Sequence, residues 1–117
     1  MAQDFIANLE ALLAKGQDAP SLRFALASRY LAAGDTAAAV RHAEAAVALD
    51  AGYSAGWKVL GQARAAAGDE RGAAESFRRG IEVAAARGDR QAAKEMQVFL
   101  KRVEKRSPSA PSGDGAT

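Results

Sequence analysis

Apolar side chains along the chain recur at the spacing of amphipathic helices, most clearly in the first and last segments. The first segment collects five of them on one face: Phe5, Ile6, Leu9, Leu12 and Leu13. The last does the same with Ala92, Ala93, Met96, Phe99, Leu100 and Val103. These patterns predict helices over 4–15 and 89–105, and we expect each apolar face to cover one end of the fold.

Between these two segments, short motifs that end one helix and begin the next divide the chain. Pro20 suits the first turn of a helix, where its missing N–H is no loss. The pair Gly34-Asp35 recurs as Gly68-Asp69 and Gly88-Asp89. Glycine ends a helix in the left-handed conformation, and aspartate caps the next one. Four further helices are predicted, over about 20–33, 36–49, 54–67 and 70–86.

Two stretches, LAAGDTAAAVRHA at 31–43 and AAAGDERGAAESF at 65–77, contain the same stop at corresponding positions. The interval from Gly34 to Gly68 is the repeat period, and a helix–turn–helix unit that recurs at this period indicates a duplicated and stacked hairpin. The second unit carries Trp57, Leu60-Gly61, Ala73 and Phe77, whereas the first carries Leu26, Ala27, Tyr30 and Ala39. This pattern resembles the tetratricopeptide repeat, and the chain resembles the short stand-alone bacterial proteins of that family.

The predicted fold class is therefore all-α, a stack of about six helices forming antiparallel hairpins. Residues 1–106 are expected to form one domain, with repeats at about 21–53 and 54–86 and capping helices at 4–15 and 89–105. The sequence departs from the repeat pattern at Arg64, Ala43 and Ala51, where tyrosine, phenylalanine and proline are usual. Residues 107–117, SPSAPSGDGAT, have almost no apolar side chains and are predicted to be a disordered tail.

Composition and charge narrow the class of protein. The abundance of alanine favours closely packed helices. The chain has no cysteine, no recognisable signal peptide and no apolar run of membrane-spanning length, so we predict a cytoplasmic protein without a membrane partner. Net charge is +2, and the basic excess lies in the C-terminal half, densest at Lys101, Arg102, Lys105 and Arg106. This set is interpreted as a solvated outer face.

No catalytic constellation is visible. His42 is the only histidine, and without clustered cysteine or carboxylate partners it is interpreted as a surface or packing residue. The tripeptide Arg87-Gly88-Asp89 matches an adhesion motif, but it serves as the third stop and cap. We expect no enzymatic activity, no metal and no cofactor.

Function is instead expected to come from surface shape. The resemblance implies that the first helix of each hairpin lines a concave groove, which binds a peptide or helix of another protein. The candidate groove residues are Phe24, Ser28, Leu31, Lys58, Gln62 and Ala65. For Phe24 and Leu31 the alternative is packing beneath the first helix.

Two other functions stay open at this point. One is a self-assembling module or a subunit of a homo-oligomer or larger complex. The other is association with nucleic acid through the basic C-terminal half, which would call for more charge and more aromatic side chains.

Overall fold

The structure, a computed structural model, describes residues 2–106, with the side chains of Ala2 and Gln3 left aside. In this range the chain forms six helices and no strand. They are α1 (Ala2–Ala14), α2 (Pro20–Ala32), α3 (Thr36–Leu49), α4 (Ser54–Ala66), α5 (Glu70–Ala86) and α6 (Arg90–Arg106). The predicted all-α fold is confirmed, and helix ends lie within two residues of those expected. The predicted tail, 107–117, lies outside the described residues.

The turns between the helices follow the predicted stop and cap. Gly34 and Gly68 adopt φ of 87° and 88°, a left-handed conformation that glycine reaches without a Cβ clash. The side chains of Asp35 and Asp69 then accept hydrogen bonds from the backbone N–H groups of Ala38 and Gly72 at 3.1 and 2.9 Å. Each pair therefore ends one helix and begins the next within a tight turn.

The helices stack in chain order. The helix pairs α2–α3 and α4–α5 form hairpins, α6 packs along α5, and α1 lies against α2. The first helices of the two hairpins also touch each other, and α4 touches α6, so that these three helices form one side of the molecule, the α2–α4–α6 face. The overall shape is elongated, 50 × 29 × 20 Å.

Small residues allow the close helix approach that this stack requires. A Cβ placed on Gly61 of α4 would lie 2.5 Å from Cε1 of Phe77 on α5, so the aromatic ring occupies the space of the missing side chain. Phe77 is fully buried, in a cluster that also contains Met96 and Val103 of α6. A second cluster, Ala27, Ala43, Val59 and Leu60, joins α2, α3 and α4.

Helix α1 packs less completely than the sequence predicts. Ile6, Leu9 and Leu13 are half-buried, whereas Phe5 is 51% exposed and Leu12 is 37% exposed. The expectation that all five apolar residues cover the end of the stack is therefore wrong for Phe5 and Leu12. The physical reason is that the backbone of α1 runs along α2 alone among residues 2–106, and one helix covers only part of a wide apolar stripe.

Candidate functional site

The six candidate residues lie on α2 and α4, two of the helices that form the α2–α4–α6 face. The structure divides them between two seams. Phe24, Ser28 and Leu31 belong to α2, which packs against α4, whereas Lys58, Gln62 and Ala65 belong to α4, which packs against α6.

At the α2–α4 seam, the aromatic ring of Phe24 meets the ring of Tyr53, which precedes α4, edge to face at 5.9 Å. Phe24 and Leu31 are half-buried and pack against the apolar cluster shared by α2, α3 and α4. Ser28 is also half-buried. The two apolar residues thus support the core and still offer part of their surface to solvent.

At the α4–α6 seam, Lys58 is bound to a residue of the last helix. Its Nζ lies 2.8 Å from Oε1 of Glu95 and 5.9 Å from the centre of the Phe99 ring. The hydrogen bond from Lys58 lowers the pKa of Glu95. Lys58 is therefore held in place as half of an ion pair and is not a free cation on this face.

Gln62 and Ala65 border a cavity of about 190 Å³ between α4 and the end of α6. Its aromatic wall consists of Phe77 and Phe99, whose rings stack at 5.6 Å with an interplanar angle of 12°. Arg102 completes it, with the guanidinium carbon 5.6 Å from the centre of the Phe99 ring. The cavity thus combines an aromatic wall, an amide and a cation.

All four basic residues are exposed on α6, as the sequence interpretation expects, but their surroundings differ. Arg102 and Arg106 line the cavity, and Arg106 also binds Glu70 at the start of α5 with two nitrogens at 3.1 Å. Lys101 and Lys105 are exposed elsewhere on the helix. The basic run along α6 carried no sign of this division, because it depends on how α6 is rotated against α4.

His42 is buried rather than on the surface, which agrees with the packing alternative. Its ring stacks on that of Tyr30 at 5.4 Å, and Arg23 Nη1 donates to its Nδ1 at 3.0 Å. Because an arginine only donates, Nδ1 accepts and the neutral ring carries its proton on Nε2. That atom lies 3.4 Å from a carboxylate oxygen of Glu10, without hydrogen-bond geometry.

Glu10 joins α1 to this group, because it accepts a hydrogen bond of 2.5 Å from the Tyr30 hydroxyl. Burial lowers the pKa of His42, although the Glu10 carboxylate opposes the effect. The Tyr30 pKa is raised, chiefly by its hydrogen bond to Glu10. These groups connect α1, α2 and α3 through polar and stacking contacts.

The second hairpin contains a group of contacts equivalent to those of Glu10, Tyr30 and His42. Arg64 of α4 donates to Ser76 Oγ of α5 at 2.8 Å and to Glu44 of α3 at 3.2 Å. Glu44, Arg64 and Ser76 stand one repeat period after Glu10, Tyr30 and His42, respectively. The departure from the usual tyrosine at Arg64 therefore replaces one interhelical hydrogen-bonding group with another.

Within residues 2–106, no three histidine, cysteine, aspartate or glutamate side chains come together as a metal site. In the same part of the chain, no helix combines the length and apolar character that crossing a membrane requires.

Known proteins are similar in sequence to most of this chain, although no known family's sequence profile matches it. The chain is 50% identical over 100 residues to TPR repeat-containing protein PA0015 of Pseudomonas aeruginosa, covering 86% of this chain and 95% of that protein.

Two solved structures are similar in shape. The solution structure of protein BPP2914 from Bordetella parapertussis has 40% sequence identity and a TM-score of 0.75, over 86% of this chain and 88% of that one. The crystal structure of MamA protein has a TM-score of 0.67 over 99% of this chain and 69% of its own, and at 16% identity it shows the fold alone.

Proposed function

The chain belongs to the tetratricopeptide-repeat family, and from that premise we propose that it is a non-catalytic adaptor that binds a peptide or helix of another protein on its α2–α4–α6 face. Proteins of this family generally mediate protein–protein interaction. The proposal keeps residues 1–106 as one domain with repeats at 21–53 and 54–86, and it places the protein in the bacterial cytoplasm.

The α4–α6 cavity is the observation that supports the proposal most. Apolar anchors seated in a pocket and bordered by polar groups supply most of the binding energy in known interfaces. Here the half-buried Phe99 ring, held from behind by the fully buried Phe77 ring, offers the apolar wall, while Gln62 and Arg102 offer an amide and a guanidinium at the rim. A partner segment that places an apolar side chain next to a carboxylate suits this site.

The α2–α4 seam extends the same proposal. Phe24 and Leu31 are anchored by the core and only partly exposed, so they lose little side-chain freedom when a partner covers them. Because Lys58 is already paired with Glu95, we assign the attraction of a carboxylate to Arg102 instead.

The experiment compares two neighbouring charge reversals. The partner captured from native cells by the unaltered chain is purified and titrated against Arg102→Glu and against Lys101→Glu. Both residues are exposed on α6 and the two variants have the same net charge, but only Arg102 lines the cavity. We expect Arg102→Glu to weaken binding at least about tenfold, which is about 1.4 kcal/mol, and Lys101→Glu to change it little.

A further variant tests the rest of the face. Gln62→Glu should also weaken the binding of an acidic partner. Gln97→Glu, at an exposed position of α6, should leave that binding unchanged. Equal losses from Arg102→Glu and Lys101→Glu that disappear at high salt would contradict the proposal, and would favour a polyanion such as nucleic acid.

A further inference from the structure

Helix α1 occupies the position of the second helix of a hairpin, and within residues 2–106 no helix pairs with it as α2 pairs with α3. Glu10 on α1 precedes Glu44 on α3 by one repeat period, and each accepts a hydrogen bond from the equivalent residue of the following helix, Tyr30 or Arg64. Position by position, α1 therefore corresponds to α3. In α3, Ala38, Ala39, His42, Ala43 and Ala46 are buried, whereas Leu49 at the end of the helix is 48% exposed.

The equivalent side of α1 is covered much less, since Phe5 is met only at one ring face by the guanidinium of Arg29, 4.2 Å from the ring centre. Ala39 and Ala46 of α3 are 0% exposed, but their equivalents on α1 are Phe5 and Leu12, which are 51% and 37% exposed. Large apolar side chains thus stand where the repeat normally buries small ones. A helix that covered this side would run antiparallel to α1, as α2 does to α3.

The centre of this side of α1 is a stripe of four exposed residues opposite the half-buried Ile6, Leu9 and Leu13. The stripe consists of Asp4, Asn8, Ala11 and Lys15. Their spacing of four, three and four keeps them on one line along a helix. Lys15 continues the last turn, since its N–H bonds to Ala11 and Leu12 carbonyls. Asp4 and Lys15 have no ion-pair partner among residues 2–106.

This stripe is complementary to itself when two copies of α1 meet antiparallel. A two-fold axis that crosses between positions 9 and 10 sets Asp4 opposite Lys15 of the second copy, at both ends of the pair. Asn8 then faces Ala11, and these small side chains permit close approach at the centre. Along one flank, Phe5 of each copy lies beside Leu12 of the other, and the opposite flank carries Ala7 and Ala14.

We propose that a second copy of this chain covers this side of α1, forming a two-fold dimer through an antiparallel pair of α1 helices. Such an interface is isologous, with each contact made twice. A parallel pair would set Asp4 against Asp4 and Lys15 against Lys15. If α6 of a second copy covered α1 instead, its exposed Lys94, Lys101 and Lys105 would lie beside Lys15, and these like charges would repel.

The dimer is expected to be weak. The contact comes from one face of a 13-residue helix, which places it at the small end of specific protein interfaces. Association should therefore depend strongly on protein concentration. This surface lies on α1 and does not involve the α4–α6 cavity. The failure of the dimer proposal would therefore leave the adaptor proposal intact, and the failure of the adaptor proposal would leave the dimer proposal intact.

The test uses the purified full chain and sedimentation equilibrium over about a hundredfold range of concentration. The unaltered chain should move from monomer towards dimer. Asp4→Lys alone and Lys15→Asp alone should each raise the dimer Kd about tenfold, because like charges then meet at both ends of the pair. An equimolar mixture of the two variants should restore association, since each supplies the charge that the other needs.

Apolar variants give an independent readout. Leu12→Glu should abolish the dimer, whereas Leu49→Glu, at a residue 48% exposed on α3, should leave it intact. Circular dichroism checks that each variant stays helical. A chain that is monomeric throughout, a mixture that associates no better than its components, or a dimer broken by Val98→Glu on α6 but not by Leu12→Glu would overturn the proposal.

Discussion

Tyr30 and Arg64 stand one repeat period apart, and each ties its own helix to the helix before it and the helix after it. Tyr30 donates to Glu10 and stacks on His42, while Arg64 donates to Glu44 and Ser76. The two repeats thus keep three interacting groups at equivalent positions, while the chemistry of those groups differs between the two copies.

Replacing Tyr30 by phenylalanine should loosen α1. The ring and its stacking on His42 remain, but the hydroxyl that binds Glu10 is lost, and we expect a loss of about 1 kcal/mol in the free energy of unfolding. Urea denaturation measures the loss, and hydrogen exchange locates it in α1. Tyr53→Phe is the matched control, because the Tyr53 hydroxyl makes no hydrogen bond within residues 2–106. Equal losses in both variants would contradict the role of the Glu10 contact.

Arg64→Ala should destabilise the centre of the stack. The guanidinium links α4 to Glu44 and to Ser76, and its removal leaves the buried Ser76 hydroxyl with only its bond to the Gly72 carbonyl. We expect a loss of about 1–3 kcal/mol in unfolding free energy. Arg71→Ala, at an exposed position of α5, should stay within about 0.5 kcal/mol of the parent. Thermal melts of the two variants and the parent measure both changes, and equal losses in the two variants would contradict the role of Arg64.

Gly61→Leu should force α4 and α5 apart, because even a Cβ would lie 2.5 Å from the Phe77 ring. Overpacking of this kind costs about 1–3 kcal/mol, and denaturant midpoints would report it. Ala66→Leu, exposed on the same helix, controls for helix propensity. If the close approach is the cause, adding Phe77→Leu to Gly61→Ala should recover part of the stability that Gly61→Ala loses.

Stability should decrease as the pH falls below 6.5, the ordinary pKa of histidine. Burial lowers the His42 pKa, with Arg23 and Arg41 adding to the effect and Glu10 opposing it, while the uncharged Tyr30 covers the ring. The unfolded chain then binds a proton at a higher pH than the folded one, which favours unfolding as acid is added.

Urea denaturation between pH 7 and pH 5, about the window above the carboxylate titrations, would measure this decrease. His42→Gln has no titrating group at position 42, so its stability should change less across the window. An equal slope in both proteins would contradict the assignment to His42.

Much of the fold could be predicted from local signals. Gly34-Asp35 and Gly68-Asp69 act through the backbone of their own turns, so their effect can be predicted without any tertiary information. The buried Phe77 and the small Gly61 follow from the repeat pattern in the same way.

The site was harder to predict, because its contacts join distant helices. Lys58 and Glu95 lie 37 residues apart, and their pairing depends on the register of α4 against α6. The same holds for Arg102, whose place at the cavity is set by the rotation of α6. Apolar periodicity likewise identified the apolar face of α1, but it does not say which half of that face a neighbouring helix covers.

The incomplete packing of α1 against α2 affects how the protein should respond to force. Pulled from its N-terminus, the molecule should release α1 before any other helix. Half-buried Ile6, Leu9 and Leu13 hold α1, together with the contacts of Glu10 with Tyr30 and His42 and of Phe5 with Arg29. Release would uncover Tyr30 and His42 and extend the chain at low force, while the hairpins braced by Arg64 resist. The protein would then lengthen in two steps, with the first one reversible.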